Sequence, residues 1–212
     1  AITAQNLSGV KKVLPAPPGL LKEEILALLD DFKPAAVKIG MLATVENAAV
    51  VRRLIKSKGL KNIVLDPVLY SSGGASLLGK KGVSEIKNML PLVRLLTPNL
   101  IEASLISGEE VKNLEDMKRA ALQIHSLGAS NVLVKGGHLK GSIVDILYDG
   151  KRFAFFEGSR LKGDKRLFHG TGCVLSSAIA GYLARGQDVR TAVLLSEKYL
   201  ISVLKKRLKN GV

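Results

Sequence analysis

The chain predicts a three-layer α/β domain, with a mostly parallel central sheet and helices on both faces, and three observations carry that expectation. Short runs rich in β-branched residues alternate with longer runs of helical periodicity. Several of the short runs are apolar on both faces, as buried parallel strands are. Toward the C-terminal third, Asp149-Gly150 separates two strand-like runs and reads as a β-hairpin turn. The 212 residues, 47% hydrophobic and 24% charged, suffice for a sizeable core, and with no repeat, low-complexity tract or linker 1–212 reads as one domain.

The elements follow in order. Residues 1–5 alternate like the end of a strand, and 11–19, with Pro15, Pro17 and Pro18, read as a loop. Leu21, Ile25, Leu28 and Leu29 give 20–32 helical spacing. Strand 35–39 closes at Gly40, helix 45–57 at Gly59, and strand 62–65 at Asp66-Pro67. A glycine loop at 71–74 precedes a helix near 78–90, a strand at 93–96 and a helix at 99–106. Helix 114–127 leads into strand 131–134, and runs 143–148 and 152–156 make the hairpin. Helices 171–185 and 189–209 complete the chain.

A formal charge of +14 favours anionic partners through a field that salt weakens. Nucleic acid is not the expected partner: aromatic residues make up 4%, Trp is absent, and no helix-turn-helix, RNP or OB pattern appears. Lys205, Lys206, Arg207 and Lys209 read as the solvated last turn of a helix. Small phosphorylated substrates suit the charge equally well. One cysteine excludes a disulfide framework, no Cys/His spacing suits zinc, and the reducing cytoplasm is the expected compartment. No apolar run has the length of a membrane span, so no membrane is expected as a partner. The oligomeric state is not fixed, and a homodimer is compatible with the sequence.

In sheets of this kind ligands sit beyond the carboxyl ends of the strands. There the chain collects Lys38 and Gly40 with Met41, Asp66 with Pro67, Thr97 with Asn99 and Glu102, and Lys135 with Gly136 and Gly137. His169-Gly170-Thr171-Gly172-Cys173 adds a glycine turn into a helix, whose first N–H groups receive anions. Cys173 lies in that first turn, where the field should lower its thiol pKa and fit it for base or nucleophile chemistry. The plain alternative is a small cysteine packed inward. Asp66 equally suits an Asp-Pro turn, and Asn99-x-x-Glu102 equally suits a capping box. Together the two carboxylates could hold Mg²⁺ through water, and Lys135 could swing onto a phosphate as a point charge. The set resembles a phosphoryl-transfer site, where catalysis is largely positioning and charge neutralisation. Gly74-x-x-x-x-Gly79-Lys80 fails as a P-loop because Lys81 stands where a hydroxyl must hold Mg²⁺, and no G-x-G-x-x-G occurs. His125, His138 and His169 lack ligand spacing.

Six stretches occur in order: Thr3-Ala4-Gln5-Asn6, Lys38-Ile39-Gly40-Met41-Leu42, Val64-Leu65-Asp66-Pro67-Val68, Thr97-Pro98-Asn99 with Glu102-Ala103, Leu133-Val134-Lys135-Gly136-Gly137-His138, and His169-Gly170-Thr171-Gly172-Cys173. Over nearly the whole chain they resemble the hydroxymethylpyrimidine and phosphomethylpyrimidine kinases of thiamine biosynthesis, in the ribokinase-like superfamily. The resemblance implies an enzyme that uses ATP and Mg²⁺ to phosphorylate 4-amino-5-hydroxymethyl-2-methylpyrimidine, then its monophosphate. It implies an anion hole of Gly170, Thr171, Gly172 and Cys173, with Cys173 as base where many superfamily members carry Asp. Asp66 and Glu102 would position Mg²⁺ and phosphates, with Thr97, Lys135 and Gly172 on the nucleotide side and Lys135 neutralising the phosphoryl group in flight. Gln5, Met41 and Val68 would touch the pyrimidine.

Two departures shape the expectation. The family opens with a strand, a glycine-rich loop and a helix ahead of the point where this chain starts, so the domain is expected to be N-terminally incomplete with its pocket open on one side. Leu167-Phe168 precedes His169 where the family carries Asn-Thr, and 162–166 read as a mobile flap. The alternatives are a pyridoxal or hydroxyethylthiazole kinase, and a non-catalytic pyrimidine- or phosphate-binding paralogue.

Overall fold

A computed structural model describes residues 1–6, 9–70, 78–137, 143–158 and 168–210. The glycine loop expected at 71–74, His138, the segment 162–166 and Leu167 lie outside them. The chain begins with an antiparallel ribbon of β1 (Ile2–Asn6) and β2 (Gly9–Leu14), with a bulge between Ala4 and Gln5. The ribbon corrects the loop expected from residue 11. Adjacent Lys11 and Lys12 hide the strand periodicity, and the prolines act only after Leu14. Helix α1 (Pro18–Asp31) follows, with no buried residue.

The main sheet has six strands in the order β3 (Val37–Ile39), β4 (Ile63–Leu65), β5 (Leu95–Leu96), β6 (Val132–Val134), β7 (Ile143–Tyr148) and β8 (Phe153–Gly158). The first four strands are parallel, and β7 and β8 are antiparallel, turning at Asp149-Gly150 as expected. Helices α2 (Val45–Lys58), α3 (Gly79–Met89), α4 (Leu100–Ser107) and α5 (Leu114–Ser126) are followed late in the chain by α6 (Thr171–Ala184) and α7 (Val189–Asn210). Side-chain caps start α7, where Asp188 Oδ1 accepts from Thr191 N at 3.0 Å, and three earlier helices. Thr44 Oγ1 accepts from Asn47 N at 3.1 Å, Asn99 Oδ1 from Glu102 N at 2.9 Å, and Asn113 Oδ1 from Asp116 N at 3.0 Å.

Strand alternation distributes the core over two faces. Ile63, Leu65, Leu96, Val132, Val134 and Ile146 pack under α2 to α5 with Ile55, Met89, Ile106 and Ile124. Val64, Leu95, Leu133 and Leu147 point the other way, under Leu175, Ile179 and Leu183 of α6 and Val193 of α7. The three expected layers are present, and α6 lies across the C-terminal ends of β3 and β4. No described helix is long and apolar enough to cross a membrane.

Candidate active site

Asp66 follows β4 directly and is held between its neighbours by ladder bonds. Its N–H donates to Ile39 O at 2.9 Å, while Thr97 N donates to Leu65 O at 2.9 Å. The side chain is 3% exposed. Lys135, at the end of β6, donates from Nζ to Asp66 Oδ1 at 2.9 Å, and Thr97 Oγ1 reaches the same oxygen at 3.4 Å. Ser176 Oγ lies 3.2 Å from Asp66 Oδ2 and 2.9 Å from Gly172 O, so its single proton serves one acceptor at a time. Burial alone would lower the Lys135 pKa, but the charges of Asp66 and Glu102 and the hydrogen bond to Asp66 outweigh it and hold the ammonium above its ordinary value. The site thus keeps a charged lysine beneath the glycine turn.

Glu102 fills the structural role that the sequence offered it. The capping box is formed, with Asn99 N donating to Glu102 Oε2 at 2.9 Å. The other oxygen receives Leu69 N at 3.4 Å. Burial raises the Glu102 pKa, Lys135 opposes it, and the nearby Asp66 charge adds to the rise. Both carboxylates therefore act on the one lysine, Asp66 by direct contact and Glu102 through its charge. No three His, Cys, Asp or Glu among the described residues converge on a direct metal site. Two hard-oxygen groups beside each other do fit Mg²⁺ held through water, since that ion keeps much of its hydration.

The turn before α6 is built by glycine. Gly170 sits at φ +78°, a left-handed conformation, and starts the helix by accepting Val174 N at 3.1 Å. Among the described residues no side-chain hydrogen bond caps this helix, unlike α2, α4 and α5, and N–H groups in such a first turn can receive an anion. Gly172 is the point of closest approach. A Cβ there would stand 3.2 Å from Lys135 Nζ and 4.0 Å from Asp66 Oδ2.

Cys173 is exposed, which removes the inward-packed alternative. The expected lowering of its thiol pKa is corrected. Partial burial of the sulfur pushes the thiol up, the Asp66 charge and a hydrogen bond to Asp66 add to this, and Lys38 and Lys135 pull against it. Thr97 is buried like Asp66 and Glu102, and its hydroxyl lies 3.4 Å from Asp66 Oδ1. Met41 and Val68 are half-buried just past β3 and β4. Gln5 is exposed on the ribbon, and neither ribbon strand is hydrogen-bonded into the six-stranded sheet.

Lys38, placed at its strand end by the sequence but given no task there, and Ser176, which the sequence did not single out, also contribute. Lys38 folds back over Gly40, where a Cβ would collide with its ammonium, and its charge reaches Cys173. Ser176 lies inside the helix expected at 171–185, where nothing marked it. Its spacing of four from Gly172, one turn of helix, was the available signal. His125 is structural, with Nδ1 2.7 Å from Ala129 O and its ring edge-on to Tyr148, while His169 O accepts from Arg207 Nη1 at 3.1 Å.

Comparison with known proteins points to one family of kinases. The family model for phosphomethylpyrimidine kinase matches residues 1–212. The hydroxymethylpyrimidine/phosphomethylpyrimidine kinase of Aquifex aeolicus (strain VF5) is 45% identical over 213 residues, covering 100% of this chain and 83% of the relative. The crystal structure of phosphomethylpyrimidine kinase from Clostridium difficile 630 superposes with a TM-score of 0.83 at 37% identity, covering 95% of this chain and 83% of that one. An ADP complex of Bacillus subtilis pyridoxal kinase superposes with a TM-score of 0.80 at 34% identity, over 88% and 70% of the two chains.

Proposed function

Because the chain belongs to the phosphomethylpyrimidine kinase family, a family of phosphotransferases with the ribokinase-like fold, we propose that it transfers the γ-phosphoryl group of ATP to 4-amino-5-hydroxymethyl-2-methylpyrimidine and then to the resulting monophosphate, in thiamine biosynthesis. The observation that carries this reading is the meeting of an uncapped glycine turn with a buried, charge-compensated lysine: the Gly172 Cβ position stands 3.2 Å from Lys135 Nζ.

The N–H groups of Thr171, Gly172 and Cys173 receive the anionic phosphate oxygens, and Lys135 meets the charge of the transferring group. Asp66 and Glu102 would hold Mg²⁺ through water, and that ion when bound supplies neutralisation of the phosphate charge. Ser176 and Thr97 orient the Asp66 carboxylate and so the lysine attached to it. Cys173 Sγ is the base for the substrate hydroxyl. Its thiol rests protonated at neutral pH, and Lys38 and Lys135 are the charges that favour the thiolate. Met41 and Val68, at adjacent strand ends, and Gln5 on the ribbon are the pyrimidine contacts. The one free thiol suits a reducing cytoplasm.

An ADP-release assay with the hydroxymethylpyrimidine and with its monophosphate tests the reading. Turnover with both is expected, and ATP binding with no turnover on either would turn the protein into a non-catalytic binder. A second reading, pyridoxal phosphorylation, has the 34% identical pyridoxal kinase in its favour. The 45% identity to the pyrimidine kinase ranks it second, and competition between pyridoxal and the pyrimidine for turnover separates the two.

A further inference from the structure

One residue beyond Lys135, at Gly136, the chain meets a second acidic pair that takes no part in the machinery above. Asp145, in β7, is buried, and its Oδ1 accepts Gly136 N at 2.8 Å. Gly136 directly follows Lys135, whose own N–H donates to Pro98 O at 2.8 Å. Glu197 of α7 hydrogen-bonds to Asp145 across the seam between sheet and helix. Its Oε1 is buried with no hydrogen-bond partner among the described residues. An ionised carboxylate in that setting would carry an uncompensated charge on an unsatisfied oxygen, whereas the neutral acid loses far less on burial. Lys135 is the only charged side chain among the described residues that acts on either acid, and it acts on Asp145.

We propose that Asp145 and Glu197 are positioning residues that share one proton: Glu197 keeps it and donates it to Asp145, and Asp145, so held, fixes Gly136 N–H and with it the orientation of Lys135. The inference deepens the phosphotransferase reading and rests on it only where activity is the readout. Burial and the Asp145 charge push Glu197 up to about 8, so the pair sits close to losing its proton in mildly alkaline solution. Above that pH, two carboxylates face each other in a buried seam, and the hold on Gly136 is lost. The proton goes to solvent; no covalent bond changes.

The test uses the whole chain. In protein carrying ¹³C-carboxyl glutamate, the Glu197 resonance should titrate with a midpoint near 8, and the Gly136 amide should shift with the same midpoint. In Glu197→Gln, which keeps a hydrogen-bond donor but cannot ionise, the Gly136 amide should show no such step. Because kcat/KM otherwise climbs with pH as Cys173 deprotonates, loss of the single Glu197 proton should cancel that climb and leave a flat limb above the midpoint in the wild type, and Glu197→Gln should lose that limb and keep climbing. Titration of Glu197 in the ordinary carboxylate range, or a Gly136 step that survives the substitution, overturns the proposal without recourse to activity. Coupled resonances with an unchanged kcat/KM limb in Glu197→Gln overturn the link to Lys135. A protein with the coupled resonances and no kinase turnover leaves the proton pair standing and removes the phosphotransferase reading instead.

Discussion

At Cys173, position and acidity pull in different directions. The residue heads the uncapped helix, yet burial and Asp66 push its thiol up, so the thiolate is scarce at neutral pH. With Cys173 as base, kcat should rise as pH climbs toward the thiol range, because the active form is the deprotonated one and its pKa lies above the ordinary value. Cys173→Ser should cut turnover by about a hundred-fold or more while sparing ATP affinity, since the backbone anion site is untouched. Equal loss of both in steady-state and binding measurements would make the residue structural. Lys135→Met should lower kcat by roughly 10²–10³ as the loss of a preorganised electrostatic group, and should also destabilise the fold by leaving Asp66 buried without its cation. Asp66, Glu102, Lys135 and the glycine turn were legible because each stands where a short apolar run ends or a helix begins. Ser176 was not, because its meaning depends on Asp66, 110 residues away in sequence. The Asp145–Glu197 contact was hidden for the same reason: neither residue has a local reason to be acidic.

Among the elements, α4 and α6 solve the same problem in opposite ways. The first turn of α4 is closed by Asn99 and Glu102, and that of α6 is left to Gly170. Asn99→Ala should therefore cost about 1 kcal/mol in chemical unfolding as the loss of a cap. KM should change little, because the Glu102 carboxylate keeps its hydrogen bonds from the backbone N–H groups of residue 99 and Leu69. Gly172→Ala tests the other solution. The added methyl group stands against Lys135 Nζ, so turnover should fall with little change in melting temperature, and a variant of full activity would place the lysine elsewhere during the reaction. Most element boundaries were readable within a residue or two from period, caps and glycines. The second ribbon strand was not, because two consecutive lysines erase the alternation that marks a strand, and the prolines beyond it dominate the local signal.

The molecule as a whole is a sheet with a separate core on each face, and the site lies where the strands of both cores run out. Its stability should carry the imprint of Glu197. That acid binds its proton more tightly folded than unfolded, so its contribution is complete below about pH 4.5 and declines as pH rises toward about 8. Denaturant midpoints should accordingly fall across this interval in the wild type, and less in Glu197→Gln. The layered architecture was legible at this scale because short doubly apolar strands leave few other folds open. The detached ribbon was not, since a period-two pattern reports that a strand exists and not which sheet it joins.

That ribbon has a consequence of its own. Two strands that pair with each other and not with the six-stranded sheet, with Ile2 and Leu14 turned outward, have little of the core to keep their amides from solvent. Deuterium should enter the ribbon long before it reaches Ile63–Leu65 at the centre, a graded permeability in which one edge of the protein breathes while its middle stays shut.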